Sequence, residues 1–171
     1  MRLEEIAVEH AEAFLTALED YKKHDPRQVK ELFPELKDPS LKGFAAFVRE
    51  CERQKLEWRP KANKISITRY VLLDDHGALC GNGRMRFPLT DELALSGGNL
   101  LFDVPPSKRR QGYGALTLNR MLFEAVRAGL ARVLVSCAVD NLGARLAIEK
   151  NRGELVTDPQ ESVLRYWIRL R

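Results

Sequence analysis

The sequence is poor in the residues that would announce a scaffold or a metal centre. Its 3 cysteines, Cys51, Cys80 and Cys137, are scattered and form no CxxC or Cys/His pairing. That excludes a disulfide framework and a structural zinc site, and reduced thiols packed as small hydrophobes are expected. The 3 histidines, His10, His24 and His76, are equally dispersed and suggest no metal. With 11 glycines and 8 prolines in 171 residues, the chain is neither low-complexity nor disordered. No apolar run is long enough to span a bilayer. The opening MRLEEIAVEHAEAF is acidic and amphipathic and lacks the apolar core of a signal peptide. A soluble, cytoplasmic protein with no membrane partner is expected.

Two phosphate-binding signatures are also missing. There is no GxxxxGK[ST], and no GxGxxG follows the first strand, which argues against nucleoside-triphosphate and Rossmann dinucleotide sites. The charge excess is only +4. It suits a small anionic ligand as well as nucleic acid. Without an arginine-rich arm or an aromatic platform, nucleic acid is not the expected partner.

What is present is globular: 44% hydrophobic and 30% charged residues, in a length that closes one core but would cramp two domains. Residues 1–171 are therefore read as a single domain. Leu3, Ile6, Ala7, Phe14, Leu18 and Tyr21 recur at helical spacing, with His10 and Ala11 close to the stripe. A short helix carries Val29, Leu32 and Phe33, limited by Pro34 and Pro39. A third runs from Leu41 to about Cys51. The period then changes, and 65–73 and 78–87 read as a hairpin about Asp74-Asp75-His76-Gly77. A short helical turn covers 91–96, a strand 99–104, and a helix runs from Gly112 to Gly129 with Leu116, Met121, Leu122, Ala125 and Val126 as its apolar face. Residues 132–139 form a buried strand, 141–151 a helix, and 162–171 a last strand partnered by 154–157. This order predicts a mixed α/β domain around one sheet, with 99–139 forming a parallel strand–helix–strand unit.

The chemistry concentrates in Val104-Pro105-Pro106-Ser107-Lys108-Arg109-Arg110-Gln111-Gly112-Tyr113-Gly114. A strand stops at a proline pair, a cationic turn follows, and glycines open a helix. Free N–H groups and the helix dipole at such an N-terminus, beside three cations, are what a pyrophosphate requires. The plain alternative is a solvated basic turn with a glycine cap.

The spacing V-x-P-x-x-R-x-x-G-x-G at Val104, Pro106, Arg109, Gly112 and Gly114 resembles the acyl-CoA signature of the GNAT superfamily of N-acetyltransferases. Val133 to Cys137, then Asn141-Leu142-Gly143-Ala144 and Ile148-Glu149-Lys150-Asn151-Arg152-Gly153, resemble its second motif, within a branch of bacterial predicted acetyltransferases. The resemblance implies a GNAT-like mixed sheet, splayed between two adjacent parallel strands, with helices on both faces. It implies acetyl-CoA as acyl donor, no metal, and an amine-bearing acceptor attacked directly, without a covalent enzyme intermediate. Backbone N–H groups of Gln111, Gly112, Tyr113, Gly114 and Ala115 would bind the CoA pyrophosphate, with Arg109 and Arg110 screening its charge. Main-chain groups of Phe102 and Val104 would pair with the pantetheine, and Asn141 would cap the last helix and reach it from the other side. The first helices and the loop around 158–161 would shape the acceptor site. The family's habit of pairing leaves a homodimer open, and Trp167 could serve a dimer edge or the core.

Catalysis is less legible. Where many relatives carry a Tyr that protonates the leaving thiolate, this chain has Ile148. Where many place a Glu before the glycine loop, it has Gly97, Gly98 and Asn99. Asp103 is the only acid on that strand, and burial there would raise its pKa and suit a base. It could equally be an edge acid paired with Arg109 or Lys108. Cys137 and Tyr166 are expected to be core residues, and Arg84 and Arg86 a solvated strand face that could alternatively grip an acidic acceptor. The mismatch at Ile148 keeps a second reading open, a non-catalytic acyl-CoA-binding sensor or interaction module.

Overall fold

The computed structural model describes residues 1–57, 65–158 and 161–170. Its frame is a seven-stranded mixed sheet in the order β1-β2-β3-β4-β5-β7-β6. The hairpin is β2 (Ser66–Leu73) and β3 (Leu79–Phe87), closed by a turn in which the Asp74 carboxylate accepts from the His76 and Ala78 N–H groups. Side chains alternate across the sheet. Val71 therefore joins one core and its neighbour Tyr70 the other.

On the first face lie α1 (Ala11–His24), α2 (Pro26–Leu32) and α3 (Leu41–Lys55). Phe14, Phe33, Phe44 and Phe47 interlock there at ring separations of 4.9–6.4 Å, over Val71, Leu73 and Leu79. On the second face lie α5 (Tyr113–Arg127) and α6 (Leu142–Lys150), which supply Leu118, Met121, Ala125 and Ile148 to the other core, while α4 (Asp91–Ser96) follows β3 in the chain and its Leu95 carbonyl accepts from Arg165. Gly83 lets α5 sit close to β3, because a Cβ there would stand 2.2 Å from the Met121 sulfur.

One helix boundary and one apolar face differ from the periodicity. The stripe that begins at Leu3 is not one helix: Arg2–Glu5 forms β1, with Leu3 opposite Leu72 of β2, and α1 starts only at Ala11. The spacing of Leu3, Ile6 and Ala7 suits either state, and pairing with the open edge of β2 satisfies backbone groups that a short helical turn would leave free. His10 fixes the corner, accepting from the Ala7 N–H at Nδ1 (3.0 Å) and meeting Glu4 through Nε2 at 2.8 Å. On α5, Val126 is exposed and Leu118 is fully buried, so the apolar face centres on Leu118, Met121 and Ala125.

The sheet opens where β4 (Leu100–Asp103) meets β5 (Arg132–Ala138). These strands run parallel but share only the register pair Leu100 and Val135 before diverging. Asn99 bolts the join. Its buried amide donates to the Arg86 carbonyl (3.1 Å) and accepts from the Leu134 N–H (3.0 Å). Beyond β5, β7 (Val163–Arg169) is flanked by the two-residue β6 (Glu154–Leu155). Trp167 of β7 is partly buried, with the Arg132 guanidinium 4.2 Å over its ring. No helix among the described residues is long and apolar enough to cross a membrane.

Candidate functional site

The divergence of β4 from β5 leaves a cleft of about 580 Å³, walled by the end of β4, the start of α5 and the start of α6. The chain reaches it through Pro105-Pro106 and a tight turn at Pro106–Lys108. Arg110 and Gly112 then take left-handed conformations (φ 63° and 85°), which swing the backbone into α5. The first bond of α5 runs from the Leu116 N–H to the Gly112 carbonyl at 3.1 Å. The amides of Tyr113, Gly114 and Ala115 therefore lie in the helix's unbonded first turn, where the dipole is positive. Gly114 faces the cleft: a Cβ there would touch Phe102, Val104 and Ala147 at 3.5–3.8 Å.

Asn141 caps α6 on the opposite wall, its side-chain oxygen accepting from the Ala144 N–H at 3.0 Å. Of the residues that the motif suggested, Phe102, Val104, Arg109, Arg110, Gly112, Tyr113, Gly114, Ala115 and Asn141 all line this one cleft. Gln111 does not. Its side chain is exposed and donates from Nε2 to the Ser107 carbonyl at 3.2 Å. Arg109 is turned toward the helices, donating to the Val104 carbonyl (3.1 Å) and to Gln28 (2.8 Å), with Asp25 at 3.3 Å. Lys108 and the exposed Arg110 and Lys150 are further cations that line the cleft.

Asp103 forms the inner end. Its carboxylate accepts a hydrogen bond from the Tyr21 hydroxyl, which in turn accepts from Asn82 at 3.0 Å. Neither Arg109 nor Lys108 is its partner, since Arg109 pairs with Asp25 instead. Burial pushes the Asp103 carboxyl up to about 6, while the Tyr21 bond and the charge of Arg109 hold it down. The Tyr21 phenol is raised above its ordinary range, chiefly by burial and then by the facing carboxylate. Tyr21 and Asn82 carried no sequence signal. Tyr21 sits in an apolar stripe beside Leu18, and only the rule that a buried hydroxyl finds a partner hints at more.

Ile148 is fully buried in the second core and presents nothing to the cleft. Cys137 and Tyr166 are buried in the same core, as expected of packing residues. The expected solvated face at Arg84 and Arg86 is corrected: Arg84 reaches the Glu31 carbonyl of α2 and Arg86 the Gly97 carbonyl, and both are only partly exposed. Burial pushes the Arg84 guanidinium down to about 10, helped by Arg69 and Arg86. Of the loop around 158–161, residues 159 and 160 lie outside the described residues.

No protein-family model and no curated protein matches this sequence. Solved structures do match. A ribosomal-protein-alanine N-acetyltransferase from Brucella melitensis superposes with a TM-score of 0.62 at 12% identity, covering 99% of this chain and 100% of that one. The chain has the GNAT acetyltransferase fold. A spermidine N-acetyltransferase from Vibrio cholerae shares this GNAT fold at a TM-score of 0.63 and 12% identity, over 99% and 95% of the two chains. The microcin C7 self-immunity acetyltransferase, solved with acetyl-CoA and AMP, matches at 0.58 and 11% identity, over 98% and 92%. At these identities the likeness establishes the GNAT architecture, and the chemistry rests on the residues.

Proposed function

We propose that the protein is an N-acetyltransferase that moves an acetyl group from acetyl-CoA to an amine by direct attack. The observation that carries this is that a largely desolvated carboxylate, Asp103, and an unbonded helix N-terminus line the same cleft. The first-turn amides of α5, with Lys108 and Arg110, suit a pyrophosphate. The bare surface at Gly114 leaves room for a chain beside β4, and Asn141 faces it from α6. The Val104 carbonyl is already bonded to Arg109, so Phe102 is the better placed of the two to pair with a pantetheine.

Asp103 is the general base. With a pKa raised toward neutrality it is ionised at pH 7 and still basic enough to take a proton from the attacking nitrogen. The nitrogen adds to the thioester carbonyl, the C–S bond breaks, and CoA leaves as thiolate that is protonated from solvent. Tyr21 positions the carboxylate.

The burial of Ile148 favours one competing reading, a non-catalytic acyl-CoA sensor. Calorimetric titration with acetyl-CoA, with ATP as control, tests the shared premise on wild type and Gly114→Trp. Wild type is expected to bind acetyl-CoA, and the variant to lose about a hundredfold in affinity, ~2.7 kcal/mol. Gly114 is preferred to Gly112, whose left-handed backbone would be strained by any side chain. Absence of binding by folded wild type would sink both readings. Binding without thioester turnover across an amine panel would select the sensor.

A further inference from the structure

Side chains 82, 84 and 86 of β3 stand in line on the face that α1–α3 cover. Asn82 is opposite Asp103 and serves the Tyr21–Asp103 pair. Two residues on, roughly 7 Å along the strand, Arg84 stands directly opposite Arg69 of β2. Like charges facing across a strand pair repel, and only one of these two is neutralised. Arg69 is paired with Glu35 at 2.6 Å, donates to the Leu32 carbonyl at 3.0 Å and stacks 5.3 Å from the Phe47 ring centre.

Arg84 has no carboxylate among the described residues. Its one contact is the Glu31 carbonyl at 3.4 Å, and its Nε is buried without a partner. Arg86 donates to the Gly97 carbonyl at 2.9 Å, and its Nε is likewise unpartnered. Of these three partly or fully buried cations, Arg69 alone is held in a salt bridge among the described residues. The group adjoins the cleft through α2, where Gln28 lines the cleft and Glu31, one turn later on the same side, meets Arg84.

A desolvated cation without a counter-ion costs the free protein stability, and an anion delivered by a ligand recovers that cost as binding. We infer that the acceptor amine carries an anionic group, a carboxylate or a phosphate, which docks at Arg84 and Arg86 while its nitrogen lies at Asp103. This rests on the transferase reading and names its substrate class. A polyamine would bring further positive charge to the same place and is disfavoured.

The test is calorimetric titration of 4-aminobutyrate, O-phosphoethanolamine, n-butylamine and spermidine onto wild type and Arg84→Gln, each saturated with acetyl-CoA's inert desulfo analogue and also free of it. The two anionic amines are expected to bind wild type, and their relative affinities distinguish carboxylate from phosphate. Arg84→Gln should weaken them by about tenfold or more while leaving CoA affinity unchanged. Its melting temperature should stay level or rise, because the variant removes a repulsion; a purely structural arginine would show the opposite. Equal binding of n-butylamine and 4-aminobutyrate, no binding of any amine, or anionic binding untouched by Arg84→Gln would each overturn the inference. Failure of the donor reading is read separately, in the acetyl-CoA titration.

Discussion

The two walls that meet at β4 are made of different material. The wall from residues 99–153 acts through main-chain groups: unbonded amides at the start of α5, left-handed turns at Arg110 and Gly112, and a capped α6. The wall from α1–α3 and β3 acts through side chains: Tyr21 with Asp103 and Asn82, and Arg69 with Glu35 beside Arg84. Main-chain geometry is set by local rules, so each of these parts is built from residues a few positions apart. Side-chain constellations are set by packing, and Tyr21 reaches Asp103 across 82 positions. One wall is therefore recognisable in the sequence, while the other is visible only in the fold.

The sharpest way to separate the walls is Asp103→Asn. If the carboxylate is the base, kcat/KM falls by about 10²–10⁴ while acetyl-CoA affinity holds. In wild type the rate should decline as pH drops through about 6, where Asp103 protonates. The stability consequence has the opposite direction. Folding raises this carboxyl, so the folded state holds its proton more tightly. The cost of burying the charge is absent below the ordinary carboxylate range and grows as pH rises through about 6. Asp103→Asn should match wild type near pH 4 and exceed it near pH 8, by on the order of 2 kcal/mol in denaturant unfolding.

Asn99→Ala strikes the joint shared by both walls. It strands the Arg86 carbonyl and the Leu134 N–H in a buried setting, and a loss of about 2–3 kcal/mol is expected by the same measurement. An unchanged stability would show that the divergence of β4 from β5 is held by something else.

Tyr21→Phe is gentler. It removes a bond that lowers the Asp103 pKa, so the acidic limb of the pH–rate profile should move above 6, with less than about a tenfold change in kcat/KM at pH 8. A limb that stays in place would make Tyr21 a packing residue only. Asn141→Ala should be smallest, about 1 kcal/mol for a lost helix cap. An additional fall in acetyl-CoA affinity would assign Asn141 to the donor wall as well.

By itself the sequence determined the order of elements, the hairpin, the parallel unit and the residues of the main-chain wall. Periodicity, proline stops, the Asn141 cap and the glycine loop all act over a few positions, and they survive in a linear reading. It misplaced the first turn, where an apolar spacing shared by helix and strand was decided by the edge of β2. Tertiary structure alone decided that Arg109 serves Asp25 and Gln28, that Gln111 stays outside the cleft, and that Tyr21 is the partner of Asp103. It also set a partly buried Arg84 opposite Arg69. Those outcomes depend on desolvation and on contacts between distant segments, and neither quantity exists until the helices close over the sheet.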